Sequence, residues 1–164
     1  MEKDDRLAVA YLLIGVSAAG RALLAMPEET QLQEPSLTVL AVVGYLLLAR
    51  RTPGPLLCGA GQLVLELILC GSQTGPVWLW LMPLLRAADL WLLWLSALWM
   101  LRQAGQPARR MPVAAAVPLA VYSVTHFFPS LAVAASAAFV AFSAVLLWYA
   151  VLMIRAYNAA RVKR

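Results

Sequence analysis

Residues Val77–Arg102, VWLWLMPLLRAADLWLLWLSALWMLR, are apolar except for Arg86, Asp89, Ser96 and the closing arginine. A run of about 20 apolar residues is what an α-helix needs to cross the hydrocarbon of a bilayer. Two ionisable residues three positions apart fall within it, and an i, i+3 pair shares one face of a helix. The stretch therefore predicts a membrane span, and Arg86 and Asp89 predict a polar partner inside it.

The rest of the chain has the same character. Of 164 residues, 63% are hydrophobic and 13% charged, against about 45–50% and about 25% in soluble domains. The mean hydropathy is +0.78. Apolar runs bounded by charges or by Pro/Gly pairs occur at Leu7–Met26, Ser36–Ala49, Leu56–Gly71, Val77–Leu101, Val113–Phe128 and Leu131–Ile154. The expected fold is all-α, a polytopic six-helix transmembrane bundle forming one transmembrane domain over residues 1–164. Its connectors are short and mostly rich in Pro or Gly, as antiparallel neighbours require.

The positions of the basic residues support six spans. Lys3 and Arg6 precede the first run, Arg50 and Arg51 follow the second, and Arg102, Arg109 and Arg110 follow the fourth. Arg155, Arg161, Lys163 and Arg164 follow the sixth, so eleven of the thirteen basic residues fall on one side of a six-span threading. The first connector of the other side carries Glu28, Glu29 and Glu34. Positive loops remain cytoplasmic, so both termini are expected inside, in a bacterial cytoplasmic membrane. Removing or adding one span would put basic loops on both faces. The opening MEKDDR is not net positive, Arg21 interrupts the run behind it and no small-x-small cleavage site follows. The first span is thus expected to be retained rather than cleaved as a signal peptide.

The second, third and fifth runs have 14 to 16 residues, about 21–24 Å of helix, short of a hydrocarbon core of about 30 Å. The fourth is longer and contains Pro83, which predicts a kink. In a competing reading the helix breaks there. VWLWLMPLL then lies along the outer interface and the span runs from about Arg86 to Leu101, with Arg86 facing headgroups.

Arg21, Glu66, Arg86 and Asp89 are the acidic and basic (Asp, Glu, Lys, Arg) residues within the runs. A charge at mid-bilayer costs about 2.5–3.5 kcal/mol and calls for a partner. At 1.5 Å per residue Glu66 lies about 8 Å below Gly71, Arg21 about 8 Å below Met26 and Arg86 about 13 Å below Val77. Glu66 and Arg86 are expected to meet across the hairpin of the third and fourth helices. Asp89 is then a second carboxylate for Arg86, Gln62 stands one turn from Glu66, and Arg21 reaches the same layer or snorkels to the interface. Trp91 is a candidate cavity wall. His126, with Ser123 one turn before it, is a candidate hydrogen-bonding group near the outer end of the fifth helix.

Trp78, Trp80, Trp99 and Trp148 read as interfacial anchors. Ala132/Ser136 and Ala137/Ala141 in the sixth run, Gly15/Ala19 in the first and Gly59/Gly61 in the third offer close-approach faces. Such faces suit packing within the chain, a membrane-protein partner or a homo-oligomer. The basic tail 155–164 is expected to continue the last helix along anionic lipid headgroups.

The chain lacks the two histidines of a helical zinc-protease motif, a G-x-S-x-G elbow, a phosphate-binding Gly-rich loop, a C-x-x-C pair and a haem attachment site. Cys58 and Cys70 lie about 18 Å apart along one helix, beyond disulfide reach. No catalytic residue, metal or cofactor is expected, and the confinement of the basic residues to short gaps argues against a nucleic-acid surface. Three functions fit: an accessory or interaction subunit of a membrane complex, a small transporter or channel subunit using the charged layer, and an intramembrane acid–base enzyme built on Glu66 and Asp89.

Overall fold

The computed structural model describes residues 3–24, 35–49, 53–71, 75–105 and 111–162. Among these residues the chain is all-helical: α1 (Lys3–Leu24), α2 (Pro35–Leu48), α3 (Pro53–Cys70), α4 (Trp78–Gln103), α5 (Met111–Thr125) and α6 (Ala132–Val162), with a single 3-10 turn at Pro129–Leu131 before α6. Prolines start the elements: Pro35 opens α2, Pro53 and Pro55 lie in the first turn of α3, and Pro112 is the second residue of α5. The first turn tolerates proline because its N–H groups have no intrahelical partner.

α1, α3, α4 and α6 are long and apolar enough to cross a membrane, and α2 and α5 are shorter apolar helices. With 14 and 15 residues, α2 and α5 extend only about 21 and 22 Å. α3 starts three residues before its expected position, at Pro53, and reaches 18 residues, about 27 Å. The expected end of α5 at Phe128 is corrected to Thr125, so that His126 falls in the turn after the helix. α6 runs on through Arg155 and Arg161 to Val162, the helical continuation expected for the basic tail.

The reading in which α4 breaks at Pro83 is overturned, since one helix runs from Trp78 to Gln103 with Pro83 inside it. Pro83 is the sixth residue of α4, where it deletes the single bond to the Leu79 carbonyl. The turns on either side remain helical.

Each helix packs against its neighbours in sequence, and α6 returns to pack most extensively on α1, closing the bundle. Named contacts fix the directions. Arg21 meets Thr38 while Ile14 lies against Gly44, so α1 and α2 are antiparallel. Thr38 meets Glu66 while Tyr45 lies against Gly59, so α2 and α3 are too. Gln62 faces Asp89 and Gly54 lies against Trp99, which makes α3 and α4 antiparallel as well. The core is built from Ile14 of α1, Tyr45 of α2, Trp94 and Met100 of α4, Leu119 of α5, and Phe142, Leu146 and Met153 of α6, each nearly or fully enclosed.

Close approach depends on glycine at the α1–α2 crossing. A Cβ on Gly44 would stand 2.8 Å from Ile14 Cγ1 and 3.1 Å from the Ala10 carbonyl oxygen. Gly15 and Gly59, which the sequence marks as small-residue faces, pack inside the chain, against α6 and α2 respectively. Ala132, Ser136, Ala137 and Ala141 face outward.

The expected loop charges Glu28, Glu29, Glu34, Arg50, Arg51, Arg109, Arg110, Lys163 and Arg164 lie outside the described residues.

Candidate functional site

The innermost charged group is an ion pair between α1 and α3. Arg21 Nη2 donates to Glu66 Oε1 at 2.7 Å, with side-chain exposures of 1% and 0%. Thr38 of α2 lies between them: its hydroxyl accepts from Arg21 Nη2 and donates to Glu66 Oε2. One hydroxyl thus serves both ions, and three helices are joined at one level. One turn before Glu66, the Gln62 amide donates to the backbone carbonyl of Asp89 at 3.4 Å and links α3 to α4. Ser17 adds a bond from its hydroxyl to the Leu37 carbonyl at 2.6 Å, on the same α1–α2 seam.

Asp89 is buried, and the charges acting on it are Arg21 and Glu66. Its Oδ1, like Nε and Nη1 of Arg21, has no hydrogen-bond partner among the described residues. Arg21, Glu66, Gln62 and Asp89 therefore form one enclosed layer, with Thr38 as its fifth member.

The expected pairing of Glu66 with Arg86 is corrected, because the cation of Glu66 is Arg21. Among the described residues Arg86 contacts neither carboxylate. The antiparallel register that sets Gln62 opposite Asp89 brings Glu66 to the level of Leu85 and Arg86. The difference is angular: three residues advance a helix by 300°, leaving Arg86 about 60° around α4 from Asp89. Asp89 faces α3, whereas Arg86 lines a cavity with His126, in the turn after α5. The snorkelling alternative for Arg21 fails as well, since that side chain is among the largest fully enclosed ones.

The cavity at Arg86 has a volume of about 320 Å³, and Trp78, Leu79, Met82 and Pro83 form its apolar wall. Arg86 is half-buried, and its Nε is enclosed without a partner. His126 stacks on Tyr122 of α5 with ring centroids 4.8 Å apart. Trp91 does not line this cavity: its indole Nε1 donates to Ser123 Oγ at 3.1 Å, fastening α4 to α5 beneath it.

Thr38 escaped the sequence reading. Its signal is a hydroxyl two residues inside the apolar run SLTVLAVVGYLLL, which otherwise carries hydroxyls only at Ser36 and Tyr45. Tyr45 and Ser96 were missed similarly, and their hydroxyls pair at 3.0 Å between α2 and α4.

No protein-family model matches the chain, and neither a curated protein nor a solved structure is significantly similar to it. Fold and site together define a class: an all-helical, membrane-compatible bundle holding an enclosed ion pair.

Proposed function

We propose that this chain is a non-enzymatic component of a membrane complex, an interaction subunit that crosses the bilayer six times. Its basic turns and both termini lie on the cytoplasmic side of a bacterial cytoplasmic membrane. In this reading the charged layer fixes helix register, and an outward-facing groove receives a helix of another membrane protein.

The observation that carries the proposal is the division between a closed interior and an open small-residue face. Arg21, Thr38, Glu66 and Gln62 are at most 1% exposed, which leaves no approach for a substrate. Ala134, Ala137, Ala138 and Ala141 of α6 line a groove of about 620 Å³ with Val113, Val117 and Val121 of α5. Small residues allow helix backbones to come close and gain dispersion contacts that lipid chains do not match. Arg155 and Arg161, both exposed on α6, attract anionic headgroups at about 1 kcal/mol each.

A photocrosslinking residue at Ala137 tests the groove in native membranes. The expected result is a discrete protein adduct that disappears with Ala141→Trp, while the same probe at Leu57, 71% exposed on α3, yields only lipid adducts. Lipid adducts alone at Ala137 would reject the interaction role.

The unpartnered Asp89 Oδ1 and Arg21 nitrogens support a second reading, in which the layer passes protons or ions as part of a transporter. That reading expects Glu66→Gln to fold normally and to abolish a coupled flux in proteoliposomes. The interaction role expects Glu66→Gln to impair folding.

A further inference from the structure

We infer that the cavity at Arg86 binds the phosphodiester head of an anionic membrane lipid. The chain's own charge distribution points there. Of the two buried carboxylates of the described bundle, Glu66 is taken by Arg21, and Asp89 faces α3 under the influence of Arg21 and Glu66. Arg86 is the cation within the apolar helices that these carboxylates leave unmatched, and its Nε is enclosed without an acceptor. An enclosed guanidinium nitrogen without an acceptor calls for an anion, and neither buried carboxylate of the described residues pairs with Arg86.

The cavity is shaped for one. Arginine presents a planar fork of donors that fits phosphate oxygens two at a time. His126 lines the same space and offers an imidazole to a further oxygen. Leu79, Met82 and Pro83 give the apolar wall along which acyl chains descend, and Trp78 stands beside them. A volume of about 320 Å³ is at the lower end of small-molecule sites, which run from about 300 Å³ upward, and it accommodates a headgroup rather than a whole lipid. The site lies in the first turns of α4 and the turn after α5, at the end of the bundle where headgroups meet the protein. A soluble phosphate would satisfy the arginine but leave the apolar wall unused, which favours the lipid.

Native mass spectrometry of the full-length protein in detergent tests this with phosphatidylglycerol and phosphatidylcholine of identical chains. The wild type is expected to retain phosphatidylglycerol about tenfold more strongly, because the choline cation of phosphatidylcholine offsets the phosphate charge beside Arg86. Arg86→Gln is expected to erase that preference and Arg86→Lys to keep part of it. Met82→Trp, which fills the cavity without altering charge, should lose the bound lipid and decides the matter if Arg86→Gln does not fold. Equal retention of the two lipids by the wild type, or an unchanged preference in Arg86→Gln or Met82→Trp, overturns the inference. Complete displacement by millimolar inorganic phosphate also overturns it, since the site then belongs to a soluble anion.

Discussion

Arg21 and Arg86 both lie within apolar helices and end in opposite surroundings, one sealed against Glu66 and Thr38, the other on the wall of a cavity. The difference sets the cost of losing each partner. Glu66→Gln leaves Arg21 as an uncompensated charge, and removing one member of an enclosed pair costs about 3–5 kcal/mol. Thermal unfolding in detergent should register a large drop in midpoint. Replacing both ions, Arg21→Met with Glu66→Leu, should recover most of the loss, because apolar groups of similar volume are tolerated where a lone ion is not. Thr38→Val removes the hydroxyl that serves both ions and should cost about 1–3 kcal/mol in the same assay. At this scale the sequence marked Arg21, Glu66, Gln62 and Asp89 of the layer, counted Arg86 with them and was poor about which of them touch. Spacing gives depth along a helix, but α4 presents its faces to different neighbours. A rotation of about 60° separates Asp89, whose carboxyl meets Gln62 of α3, from Arg86, which lines the cavity shared with His126. Thr38 carried no charge to mark it.

Among the elements, the α1–α2 crossing is a seam where a glycine meets both a side chain and a backbone carbonyl. Gly44→Ala would push a methyl against Ile14 and the Ala10 carbonyl, and overpacking of this kind costs about 1–3 kcal/mol. Val133→Ala, on a residue 85% exposed, should stay within about 0.5 kcal/mol. Comparing the two unfolding midpoints separates helix packing from general sensitivity of α-helical side chains. Helix existence was legible from the apolar runs, and all six fall where the runs do. The ends were less so. α3 begins at Pro53 because prolines that look like loop residues fit a helix's first turn, and α5 stops at Thr125 although the apolar residues Phe127 and Phe128 continue beyond it. Pro83 left a break open as a competing reading, and the continuous helix holds because a single missing N–H near the start of a long helix is absorbed by the turns around it.

For the molecule as a whole, alternating helix directions and six elements put the start of α1 and the ends of α2 and α4 at one end of the bundle. If all six cross the membrane, cysteines introduced at Ala104 and Val162 should react with an impermeant maleimide only from the cytoplasmic side. Cysteines at Pro76 and Phe128 should react only from the other. Labelling of Ala104 and Val162 from opposite sides would show that the short helix α5 does not span, whereas labelling of both from the far side would point to α2. Both are shorter than a typical hydrocarbon core, and their place beside longer neighbours is the feature that composition alone left open.

The sealed pair also imposes a timetable. Arg21 precedes Glu66 by 45 residues, and at a synthesis rate of about 5–20 residues per second the ribosome delivers the anion only seconds after the cation. If α1 and α3 cross the bilayer as proposed, Arg21 has no Glu66 to pair with during that interval, and the first half of the chain is expected to insert as a group rather than helix by helix.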